Sequence, residues 1–432
     1  QAAGKHWRMA RVLAVILGGG RGTRLYPLTK HRSKPAVPIG GRYRLIDIPI
    51  SNCINSGVMR MFVLTQFQAF SLTKHVHNAF KFDSFSRGFV EIVAAEQRMD
   101  ADDWYQGTAD AVRRNLARFL SFGADAILVL SGDQLYRMDF RKLLMTHVAA
   151  KADITISVTP VARSAARRFG ILRADRDGLI RRFVEKPRTP EDLTGLETPD
   201  MLLRGMPARG PRYLASMGIY AFRPEVLLDL LEESEAPDFG RDIIPLAIGS
   251  HRVFAHVFMG YWEDIGTIRS FHRANLDLSS SRPRFGLHDE SAPVYTRARD
   301  LPGPQLARAQ IQESILCEGS IIGEARIEHS VIGLRSRIGS GCRITDSVIM
   351  GADYFETPNQ IADDRRRHIP NIGVGANTRI HRAIVDKDAR IGDGVRILNQ
   401  AGLKEHDAEG YSIREGIVVV HKGAVIPGGT RI

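Results

Sequence analysis

"VLAVILGGGRGTRLYPLTKHRSKPAV" occupies residues 12–37. Its first six residues are apolar without interruption, which reads as a strand buried on both faces, the pattern of a parallel sheet under helices. Three glycines come next, and after them cationic side chains from Arg21 to Lys34. In open α/β sheets ligands bind beyond the carboxyl ends of the strands. The stretch therefore predicts an anion held at the rim of a sheet, close to the backbone of Gly18, Gly19 and Gly20 and beside Leu17.

Working outward, further short apolar runs appear at "MFVLT" (61–65), "AILVL" (126–130), "ITISV" (154–158) and "GIYAF" (218–222). Between them "TADAVRRNLARFL" (108–120) sets Val112, Leu116 and Phe119/Leu120 on one helical face. Strands alternating with helices predict an α/β, Rossmann-like, mostly parallel sheet over residues 9–278. Residues 1–8 precede Met9 and are left outside that domain. A linker rich in Ser, Pro and Arg covers 279–306. From 307 to 432 the pattern changes: Ile332-Gly333, Ile338-Gly339 and Ile344 recur every six residues, as do Ile391-Gly392 and Ile397. That hexapeptide period reads as a parallel β-helix, with a β-sandwich as the alternative. The polar segment 352–371 breaks the period and is expected to loop out of one coil.

Composition narrows the function. The chain has 432 residues, 44% hydrophobic and 25% charged, with a net charge of +12. Its longest apolar run is far below the roughly 20 residues a membrane helix needs, and the start lacks the signal-peptide pattern. Cys53, Cys317 and Cys342 show no CxxC spacing, which fits a reducing cytoplasm and argues against a disulfide framework or a structural zinc. Cys53 is expected to be a small buried hydrophobe. The basic residues are scattered instead of gathered into a stripe, so small anionic ligands explain the charge better than nucleic acid does. A solvated basic surface is the bland alternative.

Two familiar phosphate loops fail on spacing: there is no GxxxxGK[ST], and GxGxxG breaks at Thr23. The longer pattern is specific. "GGGRGTRL" and "KPAVPIGG" are followed in order by "TQFQ" (65–68), "WYQGTADAV" (104–112), "LSGDQLYRMD" (130–139), "FVEKP" (183–187), "ASMGIYAF" (215–222) and "YWEDIGTIRSF" (261–271). This set resembles the sugar nucleotidyltransferases, and within them the glucose-1-phosphate adenylyltransferase family, over nearly the whole chain and including the tail "EGIVVVHKGAVIPGGTRI".

The resemblance implies transfer of the adenylyl group of ATP to glucose 1-phosphate, giving ADP-glucose and pyrophosphate, the committed step of glycogen or starch-like glucan synthesis. Such a step needs alignment and charge neutralisation and no enzyme nucleophile. Arg24 would fork the outer phosphates, Lys34 would lie near the α-phosphate, and Asp133 and Asp264 would hold Mg²⁺. Gln66 and Gln106 would face the base. Tyr105, Gly170, Glu185, Lys186 and Ser216, with Asp264, would line the glucose 1-phosphate pocket. Read alone, an Asp after a strand is a turn or cap residue, and "EKP" is a surface charge pair ahead of a turn.

The resemblance further implies a left-handed β-helix used for assembly and regulation, a homotetramer, and an anionic metabolite activator. In one bacterial group of the family a lysine three residues before the catalytic lysine senses fructose 1,6-bisphosphate; here that position is His31. The tail looks more like the plant and cyanobacterial members, activated by 3-phosphoglycerate, which points to Lys387, Lys422 and Arg382. The alternative there is a solvated basic end of the β-helix. His329, His368 and His381 sit in no acyltransferase motif. Another base or sugar, or a non-catalytic regulatory subunit, are the competing readings; retention of Arg24, Lys34, Asp133 and Asp264 opposes the second.

Overall fold

Val12–Leu17 forms strand β1, with Val12 to Ile16 buried. This is a computed structural model describing residues 11–20, 22–83, 85–95, 104–203 and 212–432. The expected start of the first domain at residue 9, and Arg21 of the glycine stretch, lie outside those residues. Besides a short antiparallel pair at 38–39 and 43–44, the described residues of the first domain form ten further strands. They are β2 Arg60–Thr65, β3 Phe89–Ala94, β4 Ala126–Ser131, β5 Gln134–Tyr136, β6 Ile154–Val161, β7 Gly170–Ala174, β8 Ile180–Glu185, β9 Tyr213–Phe222, β10 Val253–Val257 and β11 Trp262–Asp264.

The main sheet runs β8-β7-β9-β4-β1-β2-β3, with β6 between β9 and β10. Its heart is parallel: β1 pairs with β4 on one side and β2 on the other, and β2 with β3. The central strands β1 and β4 are nearly continuous buried apolar runs, as expected where helices cover both faces, while the edge strand β3 carries the exposed Glu91. The registers Leu17↔Leu64 and Leu17↔Ser131 bring three carboxyl ends level. The residues just past those ends, Gly18–Gly20, Gln66 and Asp133, therefore collect at one rim.

The other half departs from simple alternation. β9 runs antiparallel to β4, β6 and β7 at once. Its register against β6 shifts between Ser216 and Tyr220. Gly218 sits in that irregularity at φ 66°, the left-handed region that glycine enters without a Cβ penalty. The bulge opens the sheet where Ser216 faces solvent.

Four helices frame the rim and the domain junction, α1 Asp47–Asn55, α2 Ala69–Ala79, α3 Thr108–Arg113 and α4 Ile268–Ser279, and a further helix, α5 Pro358–Arg366, lies in the second domain. Thr267 and Ser270 form a reciprocal capping box at the start of α4, so two amides of the first turn are satisfied locally. From α4 the chain runs without regular elements to residue 304, yet it is packed down. Phe285 is buried, Tyr295 N donates to Ser51 Oγ at 2.8 Å, and Thr296 Oγ1 donates to Asp47 Oδ2 at 2.6 Å. The Ser/Pro/Arg segment is a strap across the first domain.

The second domain is a parallel β-helix of three sheets with six, five and seven strands. Ile327 stacks on Ile344, seventeen residues on, then on Ile380 and Ile397. Each coil is thus about three hexapeptides, and its isoleucines fill one apolar column. The step from Ile344 to Ile380 is longer because 352–371 leaves the coil, as its polarity predicts. It contains α5, started by a Thr357/Gln360 capping box. The last sheet ends in antiparallel pairing of 406–408, 411–414 and 417–420.

The domains meet over a shared apolar cluster. Val331, Ile384 and Val419 belong to the same apolar cluster as Ile39 and Leu278. Gly41, at φ 73°, lies so close to the β-helix that a Cβ there would meet Cys317 Sγ at 2.5 Å. Arg32 makes two hydrogen bonds of 2.9 Å to Asp386, with both side chains almost wholly buried. No helix among the described residues is long and apolar enough to cross a membrane.

Candidate active site

Two cavities open at the rim and share Leu17, Thr108, Ser131, Asp133 and Asp238 as a common wall. The first, about 560 Å³, is lined by Gly19, Gly20, Gln66, Tyr105 and Gln106. The second, about 420 Å³, is lined by Arg24, Lys34, Gly170, Glu185, Lys186, Ser216 and Asp264. Residues far apart in sequence and expected to act together thus face two adjoining spaces.

Lys34 lines the second space and reaches the common wall at Asp133. Its Nζ lies 2.6 Å from Asp133 Oδ2 and 3.3 Å from Asp264 Oδ1, although the side chain is almost fully buried. Burial alone would lower the Lys34 pKa, but the two carboxylates outweigh it and raise the value above that of an ordinary lysine. Burial would raise Asp133, yet Lys34, with the Ser131 hydroxyl that donates to Asp133 Oδ1, holds it below the usual carboxylate range. Asp133 reaches this point on the turn after β4, and Asp264 closes β11, which pairs with β5 through Asp264↔Gln134.

Both carboxylates reach one cation, so they fit a shared divalent ion. Among the described residues no group of three or more His, Cys, Asp or Glu side chains could cage a metal. A pair of carboxylates completed by phosphate oxygens and water is the mode Mg²⁺ favours.

In the second cavity Gly170 permits a close approach. A Cβ there would meet Glu185 Oε2 at 2.7 Å and the Phe183 ring at 2.3 Å. Lys186 pairs with Glu185 and has φ 47°. Gln134 Nε2 donates to Met217 O at 2.7 Å in the bulge of β9, and Trp262 Nε1 donates to Gln134 Oε1 at 3.0 Å. The Trp262 and Phe169 rings lie 4.9 Å apart and give this cavity an apolar wall.

In the first cavity Gln66 Nε2 donates to Tyr105 O at 3.2 Å and Gln106 Nε2 to Trp104 O at 2.9 Å. The Phe67 and Trp104 rings stack at 5.5 Å beside them, a planar apolar surface of the kind a base can join.

The structure departs from three expectations. Gly18 cannot offer its amide to a ligand, since that N–H donates to Leu64 O at 2.7 Å; the residue is buried, and Gly19 and Gly20 are the exposed members of the trio. Tyr105 lines the first cavity and not the one shared by Gly170, Glu185, Lys186 and Ser216. Arg382 lies away from Lys387 and Lys422: it sits at a turn of φ 50°, its amide donating to Thr345 O at 3.1 Å, near His272.

His31, Lys387 and Lys422 line a third cavity, of about 310 Å³, between the domains. Arg44, Lys74, Arg297, Arg299 and Arg335 line it as well. Burial and the neighbouring Lys30 and Arg32 lower the His31 pKa. Arg44, Lys74 and Arg335 were not singled out in the sequence, nor were Asp238, Arg297 and Arg299. Asp238 borders both rim cavities and accepts from Thr108 Oγ1 at 3.2 Å and from Arg241 N at 2.9 Å. Its signal was "PDFGRD", an acidic residue just before a glycine turn. Arg297 and Arg299 sit in the strap, where they read as linker charge.

A level rim of parallel strands, two adjoining cavities and a lysine between two carboxylates define an enzyme of phosphoryl-type transfer. The chain belongs to the nucleotidyl transferase family, whose model matches residues 13–281. Residues 299–431 match the GLGC left-handed parallel beta-helix domain.

Proposed function

We propose that the protein is a glucose-1-phosphate adenylyltransferase. A phosphate oxygen of glucose 1-phosphate attacks the α-phosphorus of ATP, the bond from that phosphorus to the bridging oxygen breaks, and pyrophosphate leaves with the electron pair. The observation that carries this reading is the wall the two rim cavities share at Asp133, whose carboxylate pairs with Lys34, the ammonium that Asp264 also reaches. One cavity suits a base and its phosphates, the other a sugar phosphate.

In this reading Gly19 and Gly20 let the triphosphate lie against the backbone, and Arg24 neutralises the leaving pyrophosphate with a planar fork. Lys34 turns its charge to the α-phosphate as the transferring group becomes more anionic. Asp133 and Asp264 hold Mg²⁺, which when bound neutralises phosphate charge. Lys186 holds the sugar phosphate, Glu185 accepts from sugar hydroxyls, and Gln66 and Gln106 meet the adenine edge. Tyr105 is assigned to the nucleotide side, because it lines that cavity.

The interdomain cavity is read as the site of an anionic metabolite, 3-phosphoglycerate or a relative, gripped by Lys387 and Lys422. The β-helix is read as the assembly domain of a cytoplasmic homotetramer serving glycogen synthesis, with domain limits at 9–278, 279–306 and 307–432. Incubation with glucose 1-phosphate, Mg²⁺ and each of ATP, UTP, GTP and dTTP tests the reaction. Pyrophosphate release with ATP well above the others supports it; preference for another nucleotide overturns the adenylyl assignment.

A further inference from the structure

The interdomain cavity already contains an anion supplied by the chain itself. Lys387 Nζ lies 2.8 Å from Asp353 Oδ1, and Lys422 Nζ lies 2.6 Å from Asp353 Oδ2. One carboxylate bridges both ammonium groups, one oxygen to each, the arrangement a phosphate or carboxylate ligand would adopt. Asp353 belongs to 352–371, the segment that leaves the β-helix and then returns, and not to the coils that carry the lysines. The base of that segment is fixed by Glu356, whose Oε1 lies 2.8 Å from Arg390 Nη1. Asp353 itself is partly exposed at the cavity mouth.

The charge count shows why such a group is needed. Lys387 is almost fully buried, and burial, with Arg44 and Arg32 nearby, lowers its pKa. A buried ammonium without a counter-charge is costly. Asp353 is the only acidic residue among the described residues lining the cavity. Arg44, Lys74, Arg297, Arg299 and Arg335 also line it, and no ion pair joins any of them to a described carboxylate within 4.0 Å. Asp388 supports the arrangement from behind: Lys422 Nζ is 2.7 Å from its Oδ2, and Asp353 N donates to its Oδ1 at 2.7 Å.

We propose that Asp353 is a resident stand-in for the effector, occupying the place of an effector's anionic group and released from Lys387 and Lys422 when that group binds. The inference rests on reading the cavity as an anion site. An internal ligand that holds the lysines most of the time reduces the apparent affinity of any external anion by the fraction of time the site is open. The insert thereby sets the effector concentration at which the enzyme responds, without touching the catalytic rim.

Calorimetric titration of the full-length protein with inorganic phosphate tests this, counting only the binding that Lys422→Gln abolishes. Asp353→Asn should then half-saturate at about one-tenth of the wild-type phosphate concentration, given a site held nine-tenths closed. Unchanged or weaker phosphate binding by Asp353→Asn, with Lys422-dependent binding present in wild type, overturns the proposal and leaves the anion cavity standing. No Lys422-dependent binding in either protein overturns the anion cavity and the proposal together. Should Asp353→Asn not fold, Asp353→Ser carries the same comparison: it too removes the carboxylate that bridges Lys387 and Lys422, and tighter phosphate binding is again expected.

Discussion

Lys34 and Asp133 form an ion pair of 2.6 Å at the junction of two cavities, on side chains ninety-nine positions apart in sequence. Asp264 shares the same ammonium at 3.3 Å. This lysine, held between two carboxylates, lines an open cavity and not a packed interior. Approaching polyanions supply a use for the charge, and a dication supplies one for the carboxylates. Asp133→Asn is therefore expected to lower kcat by orders of magnitude at saturating Mg²⁺, with the far-UV circular dichroism spectrum unchanged. Near-normal turnover would remove the metal assignment.

Lys186 stands in the second cavity only. Lys186→Gln should raise KM for glucose 1-phosphate about a hundredfold, the order of one lost charged phosphate contact of about 3 kcal/mol. The KM for ATP should move by less than threefold. Equal changes in both constants would place Lys186 elsewhere.

Arg32 and Asp386 tie the domains through a buried, doubly hydrogen-bonded pair. Removing one member leaves an uncompensated buried charge. Asp386→Ala should cost about 3–5 kcal/mol in denaturant unfolding. The apolar pair Arg32→Met with Asp386→Leu should recover most of that loss, because neither charge then needs a partner.

His147 carries an acid limit. It is buried, with Nδ1 2.8 Å from Thr155 Oγ1, and burial, aided by Arg223, lowers its pKa to about 4. The unfolded chain binds this proton near pH 6.5 while the folded protein refuses it until about pH 4. Stability from this residue is thus complete above pH 6.5 and falls as pH drops to about 4, by ~3 kcal/mol in all. A His147→Asn variant should show a flatter stability profile across that window in urea titrations. An identical slope in both proteins would reject the assignment.

Much of this was legible from residues 12–37 and from the isoleucine period. Continuous apolar runs and hexapeptides are set by local burial and survive in one dimension. The long antiparallel β9 was not legible, because its pairing with three strands at once depends on tertiary order, and neither was the bulge at Ser216–Gly218. The misplaced residues share a cause. Tyr105 and Ser216 were assigned to one pocket by resemblance, but nothing in sequence says which side of Asp133 a loop will take. Arg382 is five positions from Lys387, yet a β-helix turns a corner in that distance. Gly18 reads as one of three equal glycines, although packing against β2 consumes its amide.

Isotope exchange between labelled pyrophosphate and ATP, run with ADP-glucose and Mg²⁺, tests the central claim most directly, since it needs both cavities filled and the shared centre working. The account predicts label in ATP that depends on ADP-glucose and vanishes with Asp133→Asn. No exchange in folded protein with Arg24, Lys34, Asp133 and Asp264 intact would contradict it.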